Sequence, residues 1–132
     1  MKTLADLTAP AQIERIVLEA DLQKQCAAWA RARGYWARKF SSMSQRSVPD
    51  YLFSRRPQLW TSERRAWKFA CEFKRPGTKP KLIEKYGVTV MSTEAQYEEQ
   101  LAMREGGWFV FECDDFEKFK QAVLDYEREH KC

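Results

Sequence analysis

The strongest constraint on the fold is the stretch from Trp67 to Gly77, Trp-Lys-Phe-Ala-Cys-Glu-Phe-Lys-Arg-Pro-Gly. Apolar and polar residues alternate along it, which is typical of a β-strand whose successive side chains point to opposite faces. The strand has an apolar face and a charged face, formed respectively by Trp67, Phe69, Cys71 and Phe73 and by Lys68, Ala70, Glu72 and Lys74. Glu72 and Lys74 lie roughly 6.6 Å apart along the strand. That spacing lets one hold a metal ion while the other reaches a water on it.

Length and composition predict one compact domain. The chain has 132 residues, of which 44% are hydrophobic and 32% charged, enough material for a single core. We expect one domain over residues 1–132, with residues 1–18 as an N-terminal extension of uncertain structure. No apolar run approaches the roughly 20 residues that cross a bilayer, and the first residues lack a signal peptide's apolar stretch. The sequence therefore predicts a soluble, cytoplasmic protein without a membrane partner.

The cysteines and the single histidine argue against several common chemistries. Cys26, Cys71, Cys113 and Cys132 are scattered without paired short spacing, and His130 is close to the C-terminus. This pattern is unlike a zinc site, whose ligands come in short-spaced pairs. It also disfavours Cys/His nucleophilic catalysis, and we expect buried, reduced thiols.

Positive charge is concentrated in the centre of the chain. The whole chain has a net charge of +4, but residues 31–85 contain 15 Lys and Arg against 4 Asp and Glu. The remaining residues contain 8 basic and 15 acidic side chains and are therefore net negative. A basic block of this kind suits contact with a phosphate backbone, although a solvated basic surface is an equally good interpretation from charge alone.

The remaining patterns predict the elements in order. They indicate a helix over 19–33, strands over 35–40, 48–53 and 67–73, a helix over 93–105, a strand over 108–112 and a helix over 116–129. Within 81–92 we expect a short helical turn around 82–86 and an extended piece at 88–91. This order predicts an α/β fold, a mixed central β-sheet flanked by helices.

Two carboxylates are predicted to meet at the central strand. Pro49 biases the preceding residue toward an extended conformation, so that Asp50 enters the second strand directly after a bend. If the second and third strands form a hairpin, Asp50 and Glu72 approach each other. Two such carboxylates would repel one another, and a divalent metal ion between them removes the repulsion.

Three of the candidate residues also have an ordinary structural interpretation. Asp50 suits a turn. Glu19 lies near the predicted start of the first helix, where the helix dipole favours a carboxylate. Gln96 follows Thr93 at the spacing of a capping box.

Pro49-Asp50 followed by Glu72-Phe73-Lys74 resembles the PD-(D/E)xK nuclease superfamily. Three features together resemble one of its families, the VRR-NUC (virus-type replication-repair) nucleases. They are Glu19 on the first helix, the phrase from Val48 to Phe53, and the phrase from Glu72 to Gly77 followed by a helix that carries Gln96. The resemblance extends from Glu19 to about Phe119.

The resemblance implies a restriction-endonuclease-like core and a metal-dependent DNA endonuclease. It implies catalytic roles for Glu19, Asp50, Glu72, Lys74 and Gln96. The metal, Mg²⁺ or Mn²⁺, would be held by Glu19, Asp50, Glu72 and the backbone carbonyl of Phe73. These are hard oxygen ligands of the kind that both ions prefer.

The basic block then predicts the DNA contacts. They are Arg38, Lys39, Arg46, Arg55, Arg56, Arg64, Arg65, Arg75, Lys79 and Lys81. No base-reading motif is visible, so we expect recognition of a branch, flap or four-way junction through its backbone. The resemblance also implies a homodimer. Two other functions stay open: a DNA-binding module that keeps the fold without cutting, and a small interaction protein with coincidental motifs.

Overall fold

The computed structural model describes residues 10–40, 49–56 and 67–129, with side chains described from residue 18 onward. In chain order the elements are α1 (Pro10–Ala32), β1 (Trp36–Lys39), β2 (Tyr51–Arg55), β3 (Trp67–Phe73), β4 (Lys81–Ile83), β5 (Val88–Val90), α2 (Glu94–Glu105), β6 (Phe109–Cys113) and α3 (Phe116–Glu129). None of these helices is both long enough and apolar enough to span a membrane.

The main sheet has four strands in the order β1-β2-β3-β6. β1 pairs antiparallel with β2, β2 pairs antiparallel with β3, and β3 pairs parallel with β6. The predicted mixed sheet and the predicted hairpin of the second and third strands are therefore confirmed. A parallel pair requires a crossover connection, and here β4, β5 and α2 make it.

The core fills the face of the sheet that the apolar residues of β3 occupy. Phe53 and Phe69 stack with their ring centroids 4.6 Å apart, and Phe119 of α3 lies against both rings and against Phe73. Cys26 of α1 belongs to the same fully buried cluster. Full burial of one such phenylalanine contributes about 1.5–3 kcal/mol, so α1 and α3 are held firmly on this face.

The opposite face of the sheet is also covered. Ala70 and Val110, which pair between β3 and β6, are both almost completely buried, and α2 contacts β6. The face of β3 that carries charge is thus an interior surface, and Glu72 is only 3% exposed. A buried carboxylate needs partners of its own, and the site around it provides some of them.

The first helix begins at Pro10, nine residues before the predicted start. Proline is favoured in the first turn of a helix because its missing N–H would have no partner there. Glu19 lies more than two turns inside α1, beyond the reach of the positive charge at the helix N-terminus. The first-turn interpretation of Glu19 is therefore wrong.

Residues 81–90 form an antiparallel hairpin, with Leu82 opposite Thr89 and Ile83 opposite Val88. The extended piece predicted at 88–91 is confirmed, but the helical turn predicted at 82–86 is wrong. Gly87 has a φ of +64° in the connecting turn, a conformation that glycine adopts readily. The turn thereby closes into a hairpin.

Candidate active site

A cavity of about 370 Å³ opens at the end of the main sheet where β3 finishes. Its walls come from α1, β3, α2 and the loops that adjoin β2, β3 and β5. The lining residues are Glu19, Asp50, Glu72, Phe73, Lys74, Arg75, Thr78, Met91 and Gln96. All five predicted catalytic side chains therefore line one cavity, although they are spread over 78 positions of the sequence.

Asp50 lies at the end of the main sheet, where residues at the ends of β1 and β3 donate hydrogen bonds to it. Its side-chain Oδ2 accepts a hydrogen bond of 3.0 Å from the backbone N–H of Phe73, and its backbone carbonyl accepts one of 2.7 Å from Phe40. Pro49 before it is fully buried. The carboxylate thus ties the end of β3 to the start of β2, rather than closing a turn of its own.

Gln96 joins the cap of α2 to Glu72 and Lys74. Its Oε1 accepts hydrogen bonds from the Thr93 backbone N–H at 2.9 Å and from the Lys74 ammonium at 2.8 Å. Its Nε2 donates to Oε1 of Glu72 at 3.0 Å. The predicted capping box is confirmed, since Oγ1 of Thr93 also accepts from the Gln96 N–H. One side chain therefore caps α2 and orients both Glu72 and Lys74.

Glu72 keeps one oxygen without a partner. Lys74 lies 3.5 Å from its Oε1, but Oε2 is buried and has no hydrogen-bond partner among the described residues. A buried unpaired carboxylate oxygen is costly, and this one belongs to a residue that lines the cavity. The oxygen is suited to bind a cation, either directly or through a water molecule of that cation.

Burial raises the pKa of all three acidic side chains of the cavity, and Asp50 adds to the rise at Glu72 and Glu19. Burial and, next, the nearby Asp50 raise the pKa of Glu72 to about 8. The same two causes raise the pKa of Glu19, and burial raises that of Asp50 despite its bond from Phe73. Lys74 opposes the rise at all three carboxyls. The cavity thus disfavours the simultaneous ionisation of the three carboxyls.

The carboxylates do not form a compact cluster. Among residues 18–40, 49–56 and 67–129 no three Asp, Glu, Cys or His side chains are gathered as a ready set of metal ligands. Mg²⁺ usually takes only one or two carboxylates and keeps several waters. Asp50, Glu72 and the backbone at Phe73 fit that requirement, and Glu19 lines the same cavity.

Glu112 is a neighbour of Glu72 that the sequence patterns did not single out. The two residues pair across β3 and β6. Both oxygens of Glu112 are occupied, Oε1 by the Met91 N–H at 2.7 Å and Oε2 by the N–H and the hydroxyl of Ser92. The sequence did contain a signal for Glu112, because it is an acidic residue at the end of an otherwise apolar strand.

The predicted DNA-binding residues fall into three groups. Arg38, Lys39, Arg56, Arg75, Lys79 and Lys81 are exposed. Arg75, Lys79 and Lys81 also line a second cavity of about 350 Å³, which shares Arg75 and Thr78 with the first. Arg46, Arg64 and Arg65 lie outside the described residues.

Arg55 alone forms the third group of predicted DNA-binding residues. It pairs with Trp67, at the opposite end of β3 from Glu72, and its guanidinium lies 3.8 Å from the Trp67 ring. It also lies 3.8 Å from buried Glu127, which accepts hydrogen bonds from Tyr35 and Arg33. With 14% of its side chain exposed, Arg55 has surroundings that favour a structural role.

The fold matches that of a domain of known structure. A solved structure described as a VRR_NUC domain superposes with a TM-score of 0.59 at 20% identity, covering 82% of this chain and 96% of that one. The sequence itself matches no family model and no curated protein. At this identity the likeness shows a shared fold. The predicted restriction-endonuclease-like core is confirmed at that level.

Proposed function

We propose that this chain is a VRR-NUC family nuclease, a Mg²⁺- or Mn²⁺-dependent deoxyribonuclease that hydrolyses phosphodiester bonds within DNA. The observation that supports it best is the convergence of Glu19, Asp50, Glu72, Lys74 and Gln96 on one cavity. These residues come from separate elements of a fold shared with a VRR_NUC domain. Chance Glu-x-Lys triplets have no reason to meet an Asp, a second Glu and a Gln in this way.

Asp50 and Glu72 would hold the metal ion, together with the backbone carbonyl of Phe73 and with Glu19 directly or through water. The unpaired Oε2 of Glu72 is the atom best suited to it. When bound, such an ion offsets the charge that develops on the scissile phosphate and activates the attacking water. Asp50 also positions the ligands, since its bond to the Phe73 N–H fixes the end of β3.

Lys74 would act on the water or on the phosphate. Gln96 holds its ammonium at 2.8 Å, and Glu72 lies on the same side at 3.5 Å. From that position the ammonium either orients and polarises the attacking water or stabilises negative charge on the phosphate. In both cases its contribution is made mainly in the transition state, so its loss would reduce turnover more than DNA affinity.

The adjoining basic cavity would guide the DNA strand into the catalytic cavity. Arg75, Lys79 and Lys81 surround it, and none of them forms a salt bridge within the described part of the chain. Arg38, Lys39 and Arg56 are further exposed cations. Contacts of this kind read the backbone and not the bases, which suits a branch, flap or four-way junction in replication, repair or recombination.

The remaining parts of the proposal concern the context of the protein. We place it in the cytoplasm as one domain over residues 1–132. Cys26, Cys71 and Cys113 are free buried thiols, as expected in a reducing compartment. A homodimer is part of the proposal because the resemblance implies it, and analytical ultracentrifugation with and without DNA would test it.

The test is cleavage of labelled linear, flap and four-way junction DNA with Mg²⁺, Mn²⁺ or EDTA. The wild type should cut in a metal-dependent manner and prefer the branched substrates. Glu72→Ala should lose at least about 100-fold in rate because the metal ion loses a ligand, whereas Glu105→Ala, at an exposed position of α2, should not. Intact DNA under every condition would rule out the nuclease and leave the non-cutting DNA-binding module as the alternative.

A further inference from the structure

Glu112 occupies a position that the proposed chemistry leaves without a role. It is a carboxylate beside Glu72 in the sheet, yet its oxygens point to the segment between β5 and α2. That segment reaches the cavity through Met91. A second free carboxylate next to Glu72 would add to the repulsion in the cavity, but three donors satisfy this one.

The bonds of Glu112 continue into α2. The hydroxyl of Ser92 donates to Glu112 at 2.7 Å and accepts from Nε2 of Gln100 at 2.9 Å. Ser92 and Gln100 are both buried, so water does not compete readily for these bonds. The network thus fixes the residue just before the N-cap Thr93 and a residue in the second turn of the helix.

We propose that Glu112 is a positioning residue, which fixes the N-terminus of α2 so that Gln96 reaches both Lys74 and Glu72. Gln96 lies between the two anchored points, Ser92 and Gln100. Its amide must keep three separate partners within 3.0 Å. A small rotation of α2 would break at least one of these bonds, and misplacement of a supporting group by about 1 Å can cost about 100-fold in rate.

The inference rests on the proposed function only where turnover is concerned, so its test needs a second readout. In metal-free, ¹⁵N-labelled protein, the side-chain NH₂ signals of Gln96 report whether its amide is held. Gln96→Glu identifies those signals by removing them. In the wild type we expect shifted signals that exchange slowly with solvent.

Glu112→Gln tests the role with little change of shape. The new amide places a donor against the N–H groups of residues 91 and 92, so at least one of these bonds is lost. We expect the Gln96 side-chain signals to move toward those of a free amide. We also expect kcat to fall by roughly 10- to 100-fold with KM changed less than about threefold. Glu105→Gln, at the other end of the same helix, should change neither.

Ser92→Ala tests the positioning role if Glu112→Gln does not fold. It removes the hydroxyl link to Gln100 but keeps the backbone N–H bonds to Glu112, so a smaller shift in the same two readouts is expected. A folded variant whose Gln96 signals and kcat match those of Glu105→Gln would overturn the positioning role. If the wild type cuts no DNA, the proposed function fails, while the Gln96 signals still decide the role of Glu112.

Discussion

At the scale of single residues, side chains around Glu72 both stabilise the ends of elements and line the candidate site. Gln96 closes the capping box of α2 and also bonds Lys74 and Glu72. Asp50 joins two strands and lines the cavity. The sequence patterns offered a structural and a catalytic interpretation for each residue as alternatives. For Gln96 the geometry is compatible with both at once, whereas Asp50 joins two strands instead of closing a turn.

Replacing Lys74 separates chemistry from binding. Lys74→Met keeps the length of the side chain and removes the ammonium that Gln96 holds. We expect kcat to fall by about 100-fold or more, because the charge acts mainly in the transition state, and the Kd for uncleaved DNA to change less than about threefold. Single-turnover cleavage and fluorescence anisotropy in Ca²⁺ measure the two quantities. Lys24→Met, at an exposed position of α1, is the control, and equal losses in rate and affinity would contradict this division.

Glu72 should make the metal-free protein less stable as pH rises. Its pKa is raised to about 8 in the fold, so the native state retains a proton that the unfolded chain releases near its ordinary pKa of 4.5. The stabilisation is complete below about pH 4.5 and is lost as pH rises toward 8. Its size is on the order of a few kcal/mol. Urea unfolding in EDTA between pH 5 and 8 measures the decline.

Glu72→Gln should flatten that decline, since the amide does not titrate. Part of it should remain, because the pKa values of Glu19 and Asp50 are raised as well. Mn²⁺ should stabilise the wild type more at pH 8 than at pH 5, as protons compete with the metal ion for the carboxylates. An unchanged slope in Glu72→Gln would show that this carboxyl does not titrate in the fold as stated.

At the scale of elements, the strands were predictable where alternation is long enough to detect. β3 has seven residues and was predicted with its faces assigned correctly. β4 has three residues, too few for a period of two to stand out, and its segment was predicted as a helical turn. β5 is as short, but it was predicted as an extended piece. The start of α1 was missed for a related reason, because Ile16, Val17 and Leu18 follow one another and obscure the helical spacing. The cue at Pro10 was present, but no periodic pattern supported it.

The cap of α2 should affect stability and turnover together. Thr93→Ala removes the hydroxyl that accepts from Gln96 and should destabilise the protein by about 1 kcal/mol, as for other N-caps. Because Gln96 then loses part of its support, kcat should also fall, by several-fold. Thr93→Ser keeps the hydroxyl and should restore both quantities in urea unfolding and cleavage assays. A loss of stability without any loss of turnover would show that the cap and the site act independently.

At the scale of the whole molecule, charge counted along the sequence identified a basic block but not its geometry. Arg75, Lys79 and Lys81 surround a cavity that adjoins the candidate site, whereas Arg55 lies at the other end of the sheet against Trp67 and Glu127. No local pattern reveals that Arg55 pairs opposite Trp67, because the register depends on how two distant strands meet. The register between β2 and β3, which decides which basic residues lie near the site, could therefore not be predicted from the sequence.

The salt dependence of DNA binding tests where the phosphate backbone of the DNA lies on the protein. Each phosphate contact contributes about 0.9 to the slope of log Kd against log salt concentration. Combined alanine replacement of Arg75, Lys79 and Lys81 should lower that slope by nearly 3, and anisotropy titrations between about 50 and 200 mM salt measure it. The same replacement of Lys24, Lys118 and Arg128, all exposed on α1 and α3, should leave it unchanged. Equal slopes for the two triple variants would place the DNA elsewhere.

The parallel pairing of β3 with β6 also determines the order of assembly during synthesis. The β2–β3 hairpin brings Asp50 and Glu72 together through a local connection, while β6 and Glu112 leave the ribosome about 40 residues after Glu72. Loop closure over that distance is costly and slow compared with a hairpin. A nascent chain can therefore bring Asp50 and Glu72 together before α2 is anchored. Under the proposed function, the capacity to bind a cation should then appear earlier in synthesis than the capacity to cut DNA.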